Sequence, residues 1–154
     1  MANFRDLSAI PGTNLNESDL LSLEDALGAH IPADLRDFLG TYGYASFIDQ
    51  GYGEITIGDQ NAAFGQFYGK RPSASFNPHD FDSGALRVGD VRSHYPRGSL
   101  IFAGDELGGE YFLKILGDNP GIYWMIYDSN SDSRFVCESF SDFLSRIVIR
   151  SYDD

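Results

Sequence analysis

The stretch Ala103-Gly-Asp-Glu-Leu-Gly-Gly-Glu-Tyr-Phe112 gathers groups that could do chemistry. It sets three carboxylates, Asp105, Glu106 and Glu110, around the pair Gly108-Gly109. Paired carboxylates can exchange protons with a substrate, and adjacent glycines can bring backbone N–H groups up to a phosphate. Each use has further requirements. A phosphate cradle opens into a helix N-terminus, whereas these glycines lead into the strand pattern Tyr111-Phe-Leu-Lys-Ile115. The carboxylates have no Lys or Arg beside them in the chain and would repel an anion. Acid–base catalysis needs further polar partners converging in a cleft, and none is readable. The glycines are therefore expected to turn the chain between two strands by supplying positive φ.

Other reactive residue types are sparse. His30, His79 and His94 lie neither three nor four residues from one another or from Cys137, so no short zinc-ligand pair exists. His30 is expected at the surface of a turn between helices. His79, in Asn77-Pro-His-Asp-Phe-Asp82, could join Asp80 and Asp82 around a metal, and that is the one enzymatic arrangement worth testing. Asp128-Ser-Asn-Ser-Asp-Ser133 begins like a calcium loop but has Ser133 where the sharp turn needs Gly and Ser139 where a bidentate Glu belongs. It reads as a polar hairpin turn. No G-x-S-x-G elbow occurs, and no phosphate loop, since Lys70 is followed by Arg71. Gly51-Tyr-Gly53 lacks the third glycine and the helix of a dinucleotide site. No cofactor, metal or small-molecule substrate is expected, and the chain reads as a non-enzyme.

Composition narrows the class further. The 154 residues, 42% hydrophobic and 14% aromatic, suit one domain spanning 1–154. No apolar run approaches the roughly 18 residues of a membrane span. The beginning, MANFRDLSAIPG, does not read as a secretory leader. One cysteine excludes an internal disulfide and fits a reducing cytoplasm. Cys137, inside Arg134-Phe-Val-Cys-Glu138, is expected to be a small buried hydrophobe. The net charge of −12 argues against direct nucleic-acid binding, which needs cations for the phosphates, and favours a basic protein partner. That charge is uneven, at −5 over residues 15–40, −1 over 41–99 and −6 over 100–154.

These residues must be held by elements that can be read locally. Asn16 is a good N-cap for a helix whose Leu20, Leu23 and Leu27 share a face, and Gly28 is placed to end it. A second helix follows Pro32, burying Leu35, Phe38, Leu39 and Tyr42 and stopping at Gly43. Tyr44–Ile48 and Gly53–Ile57 are extended. Residues 58–98 read as a loop or insertion, with Gly84–Val88 either strand or helix. Ser99–Ala103, Tyr111–Leu116, Ile122–Tyr127 and Arg134–Glu138 are four strands joined by Gly-, Asp- and Asn-rich turns. Ser139 to Ile149 forms a final helix with Phe140, Phe143, Leu144 and Ile147 on its apolar face. Helix, helix, antiparallel strands, helix is an α+β fold, with two N-terminal helices, a central antiparallel sheet and a C-terminal helix packed on it.

Four of these segments carry a family resemblance. Leu23-Glu-Asp-Ala-Leu-Gly-Ala-His-Ile-Pro-Ala-Asp-Leu-Arg-Asp-Phe-Leu39 resembles the helical motif of the SUKH superfamily. Ile101–Phe112 is similar to its apolar-Ala-acidic-Gly-aromatic motif. Gly121–Asp128 and Glu138–Leu144 resemble its closing strand and helix. The likeness covers about residues 17–48 and 99–148. It implies the same α+β fold and a role without a shared catalytic centre. Many bacterial members are immunity proteins that bind and neutralise toxins of contact-dependent or polymorphic toxin systems, often nucleases. Relatives include fungal regulators of cell-wall synthesis, which makes a regulatory interaction module the alternative. The family implies no particular binding residue.

The residues expected to meet a basic toxin are loop carboxylates, Asp49, Glu54, Asp59, Asp80, Asp82, Asp105, Glu106, Asp128 and Asp132. Aromatics of the middle segment, Phe67, Tyr68 and Phe76, are expected either to anchor that contact or to cover the core.

Overall fold

In the computed structural model, residues 7–47, 51–71, 75–80, 82–90, 94–105, 107–126 and 133–151 are described. The first helix, α1 (Glu17–Leu27), starts where Asn16 and Asp19 satisfy each other's backbone N–H groups at 2.8 and 3.0 Å. Such a reciprocal box supplies acceptors for donors that the helix itself leaves free. Gly28, at φ 74°, ends it in the left-handed conformation that a glycine adopts without strain. Leu20, Leu23 and Leu27 are buried as one stripe. The second helix, α2 (Ala33–Thr41), begins after Pro32 and buries Leu35, Phe38 and Leu39, while Tyr42 is only half-buried.

The strands are β1 (Leu7–Ala9), β2 (Ala45–Phe47), β3 (Gly51–Ile57), β4 (Gln60–Phe64), β5 (Gln66–Phe67), β6 (Arg87–Val88), β7 (Ser99–Gly104), β8 (Gly109–Lys114), β9 (Gly121–Ile126) and β10 (Arg134–Cys137). Helix α3 (Phe140–Arg146) and strand β11 (Ile147–Ser151) follow. The larger sheet runs β1-β2-β5-β7-β8-β9-β10, with β6 also on β7, and a smaller sheet runs β11-β3-β4. The described strand pairs are all antiparallel. Strands β5 and β6 share one edge of β7. The first lies opposite Ala103 and Gly104, the second opposite Leu100 and Ile101. Every residue of β7 is buried, which is why it reads as a continuous apolar run rather than an alternating one.

The fold is α+β with the expected helix order, and it adds three features. Residues 58–98 contain β4, β5 and β6 and bury Phe64, Phe67, Leu86 and Val88 in the core. The segment Gly84–Val88 resolves as a strand at Arg87–Val88. The C-terminal helix was expected to reach Ile149 but stops at Arg146. The run Ile147-Val-Ile is β-branched, prefers extended backbone, and pairs Ile147 to Ile149 with Ile55 to Gly53 of β3.

The core is aromatic. Phe143 lies within 5.2–6.4 Å of the Tyr111, Phe102, Phe64 and Phe67 rings, so α3, both sheets and β5 meet on it. Phe64 reaches Phe67 at 4.7 Å and ties the small sheet to the large one. Among the described residues, no helix is long and apolar enough to cross a membrane. Because Phe143 is fully buried, Phe143→Ala is expected to lower unfolding free energy by about 3–5 kcal/mol in a urea titration.

Candidate functional site

The carboxylates of Ala103–Phe112 are drawn apart by strand geometry. Glu110 falls on β8, where alternation turns it to one face of the sheet with Phe112. Its side chain is 1% exposed, and Arg87 of β6, 3% exposed, lies against it. The guanidinium donates two parallel hydrogen bonds to the carboxylate at 2.6 and 3.0 Å, and a third to the Ala85 carbonyl at 2.8 Å. The Tyr95 hydroxyl donates at 2.7 Å and the Gly84 N–H at 3.2 Å to the same carboxylate. Arg87 also sits over the Tyr95 ring, 5.4 Å from its centre.

Burial alone would raise the Glu110 pKa. The Arg87 hydrogen bonds and charge, with Tyr95 and Gly84, outweigh it and hold the carboxyl below the usual range. Burial and then the Glu110 charge push the Tyr95 and Tyr68 hydroxyls upward. The expectation that no cation accompanies these carboxylates is thus corrected for Glu110. Arg87 is distant in sequence, and antiparallel pairing of β6 with β7 brings it in. A buried bidentate pair with its oxygens saturated has no free lone pair for a substrate, so its role is structural.

Asp105 does different work at the β7–β8 turn. One oxygen accepts the Leu107 and Gly109 N–H groups, each at 2.7 Å, and the other accepts the Trp124 indole N–H at 3.0 Å. Gly108, at φ 94°, turns the chain as expected. Gly109 is required for another reason, since a Cβ there would overlap the Asp105 carboxylate and the Trp124 indole. A Cβ on Gly104 would overlap the Tyr68 hydroxyl. Leu107 at the tip of this turn is 84% exposed.

The remaining expected partner-binding residues separate. Phe67 and Tyr68 are buried in the core, and Phe76 is half-buried against it. Arg71 bridges Asp80 at 3.1 Å and Asp82 at 3.0 Å. Glu54 pairs with Arg150 at 3.2 Å. Asp59 is exposed in the turn between β3 and β4. Arg134, opposite Trp124 on β9, donates to Gln60 at 2.9 Å, which brings that turn toward the Asp105 end of the large sheet. Asp49, Glu106, Asp128 and Asp132 lie outside the described residues.

The metal arrangement around His79 does not assemble. The Arg71 guanidinium stands between Asp80 and Asp82, while His79 lines a separate cleft. Among the described residues, no three His, Cys, Asp or Glu side chains converge to hold a metal. The cleft, of about 580 Å³, lies between the end of α1, the end of β6 and the β8–β9 turn. Its walls bring Asp25, His79, Asp90, Arg97 and Leu116 together with several glycines, and among the described residues that line it there is no hydroxyl, thiol or amine nucleophile. Burial, then the Asp142 charge, pushes the Cys137 thiol up to about 12, so it stays protonated and unreactive. Apart from His79, the cleft residues escaped sequence reasoning because the lining comes from five separate segments.

A protein-family model described as SMI1 / KNR4 family (SUKH-1) matches residues 14–146. Comparison with curated proteins and with solved structures gave no match.

The buried pair sets two expected outcomes. Arg87→Met, which leaves the Glu110 charge buried without its partner, should cost about 3–5 kcal/mol in a denaturant titration. Replacing both residues by apolar ones of similar volume should cost less than Arg87→Met alone. The sign of the pH dependence follows from the lowered Glu110 pKa. Its contribution is fully present above the unfolded value of 4.5 and is lost as pH falls through the lower folded value. Thermal melting between neutral and acid pH should show this loss, and Glu110→Gln should flatten it.

Proposed function

The chain belongs to the SMI1/KNR4 (SUKH-1) family, and from that premise we propose that it is a non-enzymatic immunity protein. In this reading it acts in a bacterial cytoplasm, where it binds and neutralises a cognate toxin domain of a contact-dependent or polymorphic toxin system. Family membership supports a protein-interaction module. The observation that carries the finer reading is electrostatic. Arg36, Lys70, Arg71, Arg87, Arg146 and Arg150 are each held in an ion pair with a carboxylate. Asp25, Asp37, Asp59, Asp118 and Glu138 are exposed and make no ion pair with another described residue. The net charge of the chain is −12, and these unpaired acids are exposed. A nuclease toxin must bind a polyanion and needs a basic face. An acidic inhibitor can approach that face quickly and cover it. Neither nucleic acid, membrane nor small molecule has a part in this mechanism.

The test is co-expression with the toxin domain encoded beside this chain's gene. Growth should be restored, the two proteins should co-purify, and their association should slow as salt is raised. Absence of both complex and rescue overturns the reading. A stable complex with a neighbour that is not toxic supports the regulatory alternative instead.

A further inference from the structure

We propose that β11 (Ile147–Ser151) pairs antiparallel with β11 of a second copy of this chain, with Ile149 opposite Ile149, joining the two small sheets into one. The proposal is independent of the neutralisation reading. In the small sheet β11 pairs with β3 alone, so among the described residues its other edge is open. Such an edge carries N–H and C=O groups that another strand can take. The other described edges are blunted. Strands β1 and β6 have three and two residues, and β10 is broken by a bulge between Phe135 and Cys137. The outward Ala63 carbonyl of β4 accepts the Tyr111 hydroxyl at 3.4 Å.

Two separate observations fix which backbone groups of β11 point outward. The Ile147 N–H donates to the Leu144 carbonyl at the end of α3, so it is not bonded to β3. On the far side of β3, Ile57 and Gln60 close a two-residue hairpin, which makes them a hydrogen-bonded pair. Bonding then alternates along β3. Ile57, Ile55 and Gly53 bond to β4, while Glu54 and Tyr52 bond to Val148 and Arg150 of β11. The backbone groups of Ile149 and Ser151, with the Ile147 carbonyl, are therefore left on the open edge.

A two-fold pairing of this edge can centre on Val148, Ile149 or Arg150. Centring on Arg150 sets two guanidinium side chains directly opposite each other, which is repulsive. Centring on Val148 faces the Ile149 carbonyl with an Ile147 N–H already bound to Leu144, and runs Ser151 against α3 instead of a strand. Centring on Ile149 lets that residue exchange both bonds with its counterpart, and each Ser151 N–H reaches the Ile147 carbonyl of the other copy. The side chains agree with this register. Val148, 38% exposed, comes to lie beside the stem of the opposite Arg150. Ile149, half-buried at the edge, is covered by its counterpart.

Charge favours a second copy over a basic partner here. Arg150 is paired with Glu54 at 3.2 Å and Arg146 with Asp142 at 3.1 Å. The described flanks of β11 are thus balanced in a chain of net charge −12. A balanced patch gives a basic partner no attraction, and two acidic copies repel each other least there. Asp153 and Asp154 follow in sequence, outside the described residues, and their charge enters the salt dependence tested below.

The experiment is sedimentation of the full chain from about 1 µM to about 1 mM, a range that covers a small interface of this kind. A dimer should form with rising concentration. Salt should tighten it by screening the repulsion between two acidic chains, the opposite of its expected effect on a toxin complex. Val148→Lys, which sets like charges opposite each other twice, should weaken the dimer by about tenfold and keep the parent's melting temperature. Ile149→Cys should give a disulfide-linked dimer on oxidation, because paired Cα atoms lie about 5.5 Å apart. Val148→Cys, set diagonally to its counterpart at about 7–8 Å, should not. The native Cys137 is buried and takes no part. A chain that stays monomeric throughout overturns the proposal and leaves the neutralisation reading untouched. If Val148→Lys then also releases the toxin, the edge belongs to the toxin instead. A dimer that Val148→Lys leaves intact overturns the proposal too, as does one that Val148→Cys traps as readily as Ile149→Cys.

Discussion

A carboxylate and a guanidinium buried together, Glu110 against Arg87, are the constraint around which the rest of the structure is arranged. Neither charge tolerates burial alone, and each is saturated by the other with Tyr95, Gly84 and Ala85 completing the set. Glu110 can face inward from β8 only if β6 returns to lie on β7. That return commits the middle of the chain to the core, including Phe64, Phe67 and Tyr68. The glycine at 104 follows from the same demand, because the Tyr68 hydroxyl occupies the space of its side chain.

The motif around the β7–β8 turn is therefore mostly a statement about folding. Gly104 admits Tyr68, Asp105 ties the turn to Trp124, Gly108 reverses the chain, Gly109 clears the indole, and Glu110 receives Arg87. A family pattern built from such residues marks a shared scaffold. Leu107, at the tip of the turn, has its N–H held by Asp105 while its side chain stays exposed.

Electrostatics divides in the same way. Some carboxylates are internal fasteners: Asp19 holds Lys70, Glu17 and Glu24 hold Arg36, and Asp34 receives Ser141 at the start of α3. Because the few basic residues are largely consumed in such pairs, the remaining acids define the outer field. Of these pairs only Arg87–Glu110 is buried, and the excess of acids over bases, 23 against 11, leaves the chain negative.

What could be read from the sequence was encoded over short separations. The Asn16 cap, the Leu20-Leu23-Leu27 stripe, the stop at Gly28 and the four closing strands depend on contacts one helical turn or one strand long. The turn at Gly108 was legible for the same reason, as was the excess of negative charge. The Arg87–Glu110 pair was not, because a strand of two residues inside a Pro- and Gly-rich stretch has no periodicity to announce it. The end of α3 was half-visible, since Ile147 suits the apolar face of a helix and the edge of a sheet equally. Only β3, waiting beside it, decides for the strand. Phe67 and Tyr68 could be anchors or core by type alone, and the strand register against Ala103 buries them. Local spacing by itself determined the elements, their caps and the sign of the field. Tertiary closure decided which charges are buried and which apolar side chains are left outside, because those outcomes rest on partners brought together across long stretches of chain.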